Sequence, residues 1–288
     1  MPTLNLGDTH IHYAHAGSDG TALVFVHGAL CDHADWRFQL DHFAARHRVL
    51  APDLHGHGLS TRTSGRIRVA SFAQDVVALC QSQQLRRVVL VGHSMGCRVL
   101  LQIWRTTPEL VAGLVLVDGA YLVPSLLGTL GVDDRAALAH DAGRRAADAH
   151  KDVEPSVRAR QGFAQMFFDP QFDGLRDAIV QRAAALPAHV ARELMPDFAA
   201  WDVLHMEDVL ATITVPMLVI ACTHMNSQRE RVSLAPDTVT PWLQAVASLA
   251  PHAQILRRHG GGHFPMLEHP EDTNLAIDAF LQCHQLAA

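Results

Sequence analysis

The chain has 288 residues, of which 49% are hydrophobic and 18% charged, so it can bury a sizeable core and does not have the composition of a disordered protein. Its formal net charge of −6 offers no basic surface for a polyanion, which argues against nucleic acid as a partner. Five cysteines without a CxxC pair fit a reducing compartment better than a disulfide framework. Because the start lacks a basic leader and no apolar run reaches roughly 18 residues, we expect a cytoplasmic protein that does not enter the membrane.

Apolar periodicity predicts strands that alternate with helices along most of the chain. An opening hairpin is predicted at residues 3–13, with its turn at Gly7-Asp8, and a buried strand at 22–26. The further predicted strands are 48–51, 87–91, 113–117, 215–220 and 253–256, and the predicted helices are 36–45, 71–83, 95–106, 241–249 and 270–285. Alternation of this kind builds an α/β fold, a mainly parallel sheet with helices on both faces.

The region 121–205 interrupts this alternation. It contains no convincing strand, but it has Ala-, Arg- and Leu-rich helical stretches such as 133–150 and 155–168. Helices inserted between two strands, on the side of the sheet where loops gather, are typical of a lid over an active site. We therefore predict a core domain formed by residues 1–120 and 206–288, and a helical lid formed by residues 121–205.

The pentapeptide Gly92-His93-Ser94-Met95-Gly96 lies between a predicted strand and a predicted helix. In that setting a GxSxG sequence predicts a tight, strained turn that exposes the serine hydroxyl, and small residues are needed on both sides because neighbouring chains crowd the turn. The helix that begins at Met95 would point its free amides and the positive end of its dipole toward the site. The Met95 amide is therefore a candidate donor to an oxyanion. The alternative is that Ser94 only caps the helix.

Four motifs follow predicted strands or precede predicted helices. They are His27-Gly28-Ala29-Leu30, Pro52-Asp53-Leu54-His55-Gly56-His57-Gly58, Gly92-His93-Ser94-Met95-Gly96 and Gly262-His263-Phe264-Pro265. With these motifs the chain resembles the α/β-hydrolase superfamily over nearly its full length. The resemblance implies the α/β-hydrolase fold with Ser94 as nucleophile, and it implies that the Ala29 amide is the second oxyanion donor. The motifs are specific for the fold and not for a substrate.

The candidate general base is His263, on a glycine-rich loop before the last predicted helix. A serine hydroxyl is a poor nucleophile until a neutral imidazole takes its proton. Position distinguishes His263 among the 20 histidines of the chain, and His259 and His269 are the nearby alternatives.

The third member of a triad is harder to place. In most of the superfamily an acid follows the strand that corresponds to residues 215–220, but here the segment 221–227 has no carboxylate. Asp118 ends the strand 113–117, at the carboxyl edge where ligands gather, and some members of the superfamily carry their acid there. We predict Asp118 as the acid. The alternatives are that Asp118 caps a turn, that the third member is dispensable, or that one of three later residues orients the base. These are His224, Asn226 and Glu230.

Six residues near the motifs and in the predicted lid are candidates for substrate binding. They are His27, Cys31, Trp36, His93, Phe167 and Trp201. For each aromatic residue the alternative is ordinary core packing. Histidine pairs such as His10/His12 and His55/His57 lack a ligand set with metal spacing, and no Walker or GxGxxG sequence follows a strand. We therefore predict neither a metal nor any other cofactor.

Taken with the resemblance, these residues predict a hydrolase that cleaves a carboxylic ester of a small, largely apolar substrate through an acyl group on Ser94. Lactones, thioesters and activated amides are further substrate classes. Two alternatives use the same fold: a cofactor-free dioxygenase or carbon–carbon bond hydrolase or lyase that relies on a His263–Asp118 pair, and a ligand receptor without catalysis. The sequence leaves the physiological substrate and the oligomeric state open.

Overall fold

Strands and helices alternate along the chain close to the predicted bounds, in a computed structural model that describes residues 1–62, 66–120, 134–148, 153–226, 228 and 230–287. The strands are β1 Thr3–Asn5, β2 Thr9–Ala16, β3 Ala22–Val26, β4 Val49–Pro52, β5 Thr61–Arg62, β6 Val88–His93, β7 Val111–Val117, β8 Met217–Ala221, β9 Thr223–Met225, β10 Arg231–Ser233 and β11 Gln254–Arg257. The helices are α1 Arg37–Phe43, α2 Val69–Ser82, α3 Met95–Thr106, α4 Arg135–Asp148, α5 Pro155–Ala164, α6 Asp173–Ala185, α7 Ala188–Leu210, α8 Pro241–Leu249, α9 Pro265–Glu268 and α10 Pro270–Cys283.

The main sheet has the strand order β1-β2-β4-β3-β6-β7-β8-β11, with β5 paired to β2. All neighbours from β4 to β11 pair in parallel, and the pairs made by β2 are antiparallel. This arrangement confirms the predicted α/β class. Because β4 lies on one side of β3 and β6 on the other, the strand order reverses at β3 and β6. In parallel sheets, ligands bind at the carboxyl ends of strands at such a reversal.

The core is formed by strands that are buried on both faces. Every residue of β3, β4, β6, β7 and β8 is buried. Continuous Val- and Leu-rich runs are typical of parallel strands covered by helices on each side, because no face of such a strand meets water. Helix α3, which follows β6, is also buried along most of its length. The turn between β6 and α3 is therefore held by two well-packed elements.

Helices α4 to α7 connect β7 to β8, in the region where the sequence predicts a lid. Residues 121–133, with which the predicted lid begins, lie outside the described residues. The predicted boundary at 205/206 falls inside α7, which continues to Leu210 before the chain returns to the sheet. Helix α7 is fixed to α3 by a buried bidentate ion pair, in which Arg98 Nε and Nη2 each lie 2.7 Å from a carboxylate oxygen of Asp202.

Strands β9 and β10, directly after β8, form a small antiparallel sheet that was not predicted from the sequence. Strands of three residues are too short to show a period-2 pattern, so no alternation marks them in the sequence. Their register pairs Thr223 with Ser233 and Met225 with Arg231. None of the helices in the described part of the chain combines the length and the apolar character of a membrane span.

Candidate active site

Ser94 lies in a sharp turn between β6 and α3. Its backbone has φ 53° and ψ −111°, and its amide donates to the Val117 carbonyl at 2.9 Å. A positive φ strains any residue other than glycine and persists only where the surroundings impose it. A Cβ on Gly96 would lie 2.4 Å from the Val26 carbonyl oxygen, and one on Gly92 would lie 2.7 Å from the Gly96 carbonyl carbon. Only glycine fits at either flank of this turn.

The turn after β3 packs against the Ser94 turn. A Cβ on Gly28 would lie 2.8 Å from His93 Nδ1 and 3.4 Å from the Ser94 Cβ, so the two backbones come close together. Ala29 follows at this point of contact, and Met95 is the first residue of α3. The first amides of a helix have no carbonyl partner within it, and the helix dipole adds positive potential there. The structure thus places the turns that contain the Ala29 and Met95 amides side by side.

His263 and Asp118 form a buried hydrogen-bonded pair. His263 lies between β11 and α9, and its Nδ1 is 2.6 Å from Asp118 Oδ2 at the end of β7. The Asp118 carboxylate also accepts from the amides of Cys222 at 2.7 Å and Thr223 at 2.9 Å, and from the Thr223 hydroxyl at 2.6 Å. Burial opposes its charge, but the hydrogen bonds and the nearby cation Arg231 outweigh burial, so the pKa of Asp118 lies below its ordinary value.

Because Asp118 is a charged acceptor, the proton of a neutral His263 belongs on Nδ1 and the lone pair on Nε2. Burial and the Arg231 cation lower the pKa of His263 to about 4, against the opposing effect of Asp118. The imidazole is therefore neutral at pH 7. It has the tautomer that a general base needs, with the free nitrogen pointing away from Asp118.

His93, the residue before Ser94, contacts His263. The His93 ring lies 4.6 Å from the His263 ring, and its Nε2–H donates to the His263 carbonyl at 2.7 Å. Within the part of the chain that the structure describes, no hydrogen bond joins the Ser94 hydroxyl to His263. Catalytic hydrogen bonds are often long or poorly aligned without substrate and tighten when it binds.

Arg231, which the sequence analysis did not identify, is the cation of this site. Its Nη1 donates to Thr223 Oγ1 at 2.7 Å and lies 3.2 Å from His263 Nδ1 and 3.9 Å from Asp118 Oδ2. Only 14% of its side chain is exposed. No sequence signal could have identified it, because it stands in a three-residue strand whose position depends on the β9–β10 hairpin.

The three alternatives for the acid lie on this same hairpin. Asn226 and Glu230 bond to each other, with the Asn226 Nδ2 to Glu230 Oε2 distance at 3.1 Å and the Glu230 amide donating to Asn226 Oδ1 at 2.9 Å. His224 is half-buried, and burial lowers its pKa. The His263 Nδ1 is thus bonded to Asp118 and to none of these three.

Of the six candidates for substrate binding, His93 and Phe167 lie at His263. Phe167 stacks on Phe264 with ring centres 5.0 Å apart and an interplanar angle of 5°. The Phe264 ring in turn contacts the His93 ring at 4.7 Å. An apolar aromatic wall therefore stands next to the His263 imidazole.

The other four candidates are placed differently. The His27 ring is fully buried, with Nδ1 donating to the Gly28 carbonyl and Nε2 accepting from the Leu54 amide. Trp36 is also fully buried, and its ring packs 5.2 Å from that of Phe25. Trp201 is buried on α7 and donates to Gln102 Oε1 at 2.8 Å. Packing accounts for these three side chains, whereas Cys31 borders a cavity.

That cavity, of about 490 Å³, lies between the turn after β3, the loop before β5 and the junction of α6 with α7. Its polar lining includes Asp32, His33, Asp53 and Arg182. Arg182 forms ion pairs with Asp32 and also with Asp35, which tie α6 to the turn that carries the Ala29 amide.

Two residues of the cavity lining, His33 and Asp53, together with His12 form a group that could hold a metal ion, which was not predicted from the sequence. His12, His33 and Asp53 place one ligand atom each within 4.8 Å of one another. Asp53 also accepts from the amides of His33 at 2.8 Å and Leu59 at 2.9 Å, so it has a structural role that requires no ion. The three residues come from separate segments, which is why no spacing in the sequence marks them.

The chain belongs to the alpha/beta hydrolase family, whose model matches residues 23–276. A dihydrolipoyllysine-residue acetyltransferase component of an acetoin cleaving system from Pseudomonas putida is 28% identical over 278 residues, which cover 93% of this chain and 65% of that protein. An (E)-2-((N-methylformamido)methylene)succinate hydrolase from Acinetobacter baylyi is 30% identical over 120 residues, 41% of this chain and 45% of that protein. The chain thus spans less than two thirds of the length of either relative.

Among solved structures, a thermophilic esterase from Thermogutta terrifontis with malate bound superimposes with a TM-score of 0.75. Its sequence is 24% identical, and the match covers 98% of this chain and 96% of that one. At this identity the likeness shows the fold alone, and it agrees with the strand order described above.

Proposed function

We propose that the protein is a serine hydrolase that cleaves carboxylic esters of small, largely apolar molecules through an acyl group on Ser94. The observation that carries the proposal is the buried hydrogen bond from His263 to Asp118, beside a serine held at positive φ between a strand and a helix. Lactones, thioesters and activated amides undergo the same chemistry and are the next substrate classes.

In the proposed mechanism, His263 Nε2 takes the proton of the Ser94 hydroxyl as its oxygen attacks the carbonyl carbon. The Ala29 and Met95 amides stabilise the negative oxygen of the tetrahedral intermediate. His263 then protonates the leaving alcohol, and the acyl-enzyme remains. A water molecule, deprotonated by the same imidazole, releases the acid and restores Ser94, while Asp118 stabilises the imidazolium in both steps.

The preference for an apolar substrate rests on the aromatic wall at His263. Phe167 and Phe264 stack there, and the Phe163 ring lies 6.1 Å from that of Phe264. An apolar wall around a few oriented polar groups is typical of small-molecule sites.

The proposal is tested with the purified chain and p-nitrophenyl acetate. We expect Ser94→Ala to lower kcat by at least about 10³-fold with an unchanged melting temperature, because no other group supplies the nucleophile. Ser248→Ala, at an exposed position on α8, is the matched control and should retain full activity. A fluorophosphonate should label Ser94, as seen by mass spectrometry. Full activity of Ser94→Ala would refute the proposal, and absent labelling in folded protein would favour a ligand receptor.

A second candidate uses the His263–Asp118 pair without covalent chemistry on Ser94, as in a cofactor-free dioxygenase or a carbon–carbon bond hydrolase or lyase. The observation that favours it is that His263 bonds to Asp118 but, within the described residues, not to the Ser94 hydroxyl. Oxygen consumption with an N-heteroaromatic substrate, retained in Ser94→Ala, would identify this chemistry.

A further inference from the structure

A cation occupies the segment where the resemblance implies an acid. After β8 the chain forms the β9–β10 hairpin, and Arg231 at the start of β10 extends toward the end of β7. Its guanidinium lies 3.2 Å from His263 Nδ1 and 3.9 Å from Asp118 Oδ2. The side chain is largely shielded from solvent, so water screens its charge only weakly.

We propose that Arg231 is a positioning residue of the hydrolytic site: its charge balances Asp118 and keeps the His263 imidazole unprotonated in mildly acidic solution. The inference rests on the proposed function, since it concerns the base of that reaction. It extends the function by assigning a role to a residue outside the triad.

The contacts of Thr223 explain how Arg231 is held. The Thr223 hydroxyl donates to Asp118 Oδ2 at 2.6 Å and accepts from Arg231 Nη1 at 2.7 Å. One hydroxyl therefore links the cation to the carboxylate in a fixed geometry. Nδ1 of a neutral His263 already carries the proton that it donates to Asp118, so Arg231 acts on the imidazole through its charge.

An imidazole paired with a carboxylate alone is easier to protonate than a free one, because the negative charge attracts the proton. Here burial contributes most to lowering the pKa of His263, and the Arg231 cation adds to it. The opposing effect of Asp118 is smaller, so the pKa falls to about 4. Removing the cation leaves burial as the only one of these effects that opposes Asp118, so the pKa of His263 must then rise.

The other titratable groups around His263 do not supply this effect. His93, from the end of β6, is fully buried, and burial lowers its pKa well below the usual value, so it is neutral. Burial raises the pKa of the Cys97 thiol to about 12 and also raises that of Cys222. Glu268 on α9 accepts the amides of Gly262 and Phe264, and faces the backbone of the loop. Among the described residues, Asp118 and Arg231 are thus the charges in contact with the imidazole.

The test compares the acidic limb of the kcat/KM profile for the wild-type chain, Arg231→Met and Arg231→Lys, with a p-nitrophenyl ester between pH 4 and 9. We expect the limb of Arg231→Met to move upward by about one pH unit or more, as nearby charges shift pKa values by this amount. Arg231→Lys keeps the charge and should keep the limb near its wild-type position. Arg257→Met, on β11, is the matched control and should show the wild-type profile.

A second measurement separates this proposal from the proposed function. The titration of the His263 imidazole is followed by NMR in ¹⁵N-labelled protein, which requires no hydrolysis. We expect its midpoint to rise in Arg231→Met and to stay in Arg231→Lys. Should Arg231→Met fail to fold, Arg231→Gln removes the charge and retains a donor to Thr223. An unchanged midpoint in the folded neutral variant, or an equal shift in Arg231→Lys, would overturn the proposal even if ester hydrolysis is confirmed.

Discussion

Replacing Asp118 by asparagine tests the proposed base most directly, because the change is nearly isosteric. The amides of Cys222 and Thr223 would retain an acceptor in the side-chain oxygen of the new residue. Its NH₂ group would then take the place of Asp118 Oδ2, the oxygen that now accepts from His263 Nδ1 at 2.6 Å. Two donors cannot bond each other, so the imidazole must shift its proton to Nε2 and present N–H to Ser94. A base in the wrong tautomer cannot take the serine proton.

We expect Asp118→Asn to lower kcat for p-nitrophenyl acetate about 10³- to 10⁴-fold, which corresponds to about 4–5.5 kcal/mol of transition-state stabilisation. The same variant leaves the Arg231 charge buried without its carboxylate, which should lower the free energy of unfolding by about 3–5 kcal/mol. Kinetics are therefore measured well below the melting temperature, with circular dichroism as a check on folding. Asn226→Ala and Glu230→Gln are the controls, since they alter the alternative third members. If either control loses activity while Asp118→Asn retains it, the assignment of the acid is wrong.

Three further predictions concern stability and packing. Asp202→Ala should lower the free energy of unfolding by about 3–5 kcal/mol, measured by urea denaturation, because it leaves Arg98 buried without its partner. An unchanged urea midpoint would contradict the stabilising role of the Arg98–Asp202 pair. Gly96→Ala should prevent folding, since its Cβ would lie 2.4 Å from a carbonyl oxygen, whereas Gly162→Ala, with nothing within 4 Å, should express normally. Acid should destabilise the protein: burial lowers the pKa of His57 to about 3, below the unfolded value of 6.5. The unfolded state then binds more protons between these values, and stability falls by up to about 2 kcal/mol for this group from pH 6.5 to 5, as melting temperatures would show.

The main sheet could be predicted from the sequence because parallel strands buried on both faces leave continuous runs of Val and Leu, as in β6 and β7. The same reasoning places Ser94, Asp118 and His263 near one another, since each follows a strand and the carboxyl ends of parallel strands share one edge. The aromatic candidates were harder to place. Aromatic residues occur both in a buried core and in the lining of a pocket, so the residue type does not distinguish the two positions. Trp36 illustrates this: it was a candidate for the pocket lining with core packing as the alternative, and the structure buries it against Phe25.

What the sequence could not predict are contacts that join short segments far apart in the chain. Arg231 reaches His263 because two three-residue strands fold back after β8. His12, His33 and Asp53 converge because β2, the turn after β3 and the end of β4 meet at one side of the sheet. None of these contacts leaves a periodic pattern or a fixed spacing. Such contacts depend on where long side chains end once the sheet has formed.

The charge of Asp118 explains why a cation, Arg231, in the segment after β8 is compatible with the proposed site. Asp118 without a partner would leave one buried negative charge beside His263, whereas Arg231 makes the resting site neutral. In the proposed reaction His263 takes the serine proton, and its new positive charge is matched by the oxyanion on the substrate, so the site would stay neutral through the step. The imidazolium is less stable than it would be beside Asp118 alone, and its acidity makes it a better proton donor to the leaving alcohol. At the same time, the proposed base His263 stays unprotonated at a lower pH than it would in an Asp–His pair without the arginine.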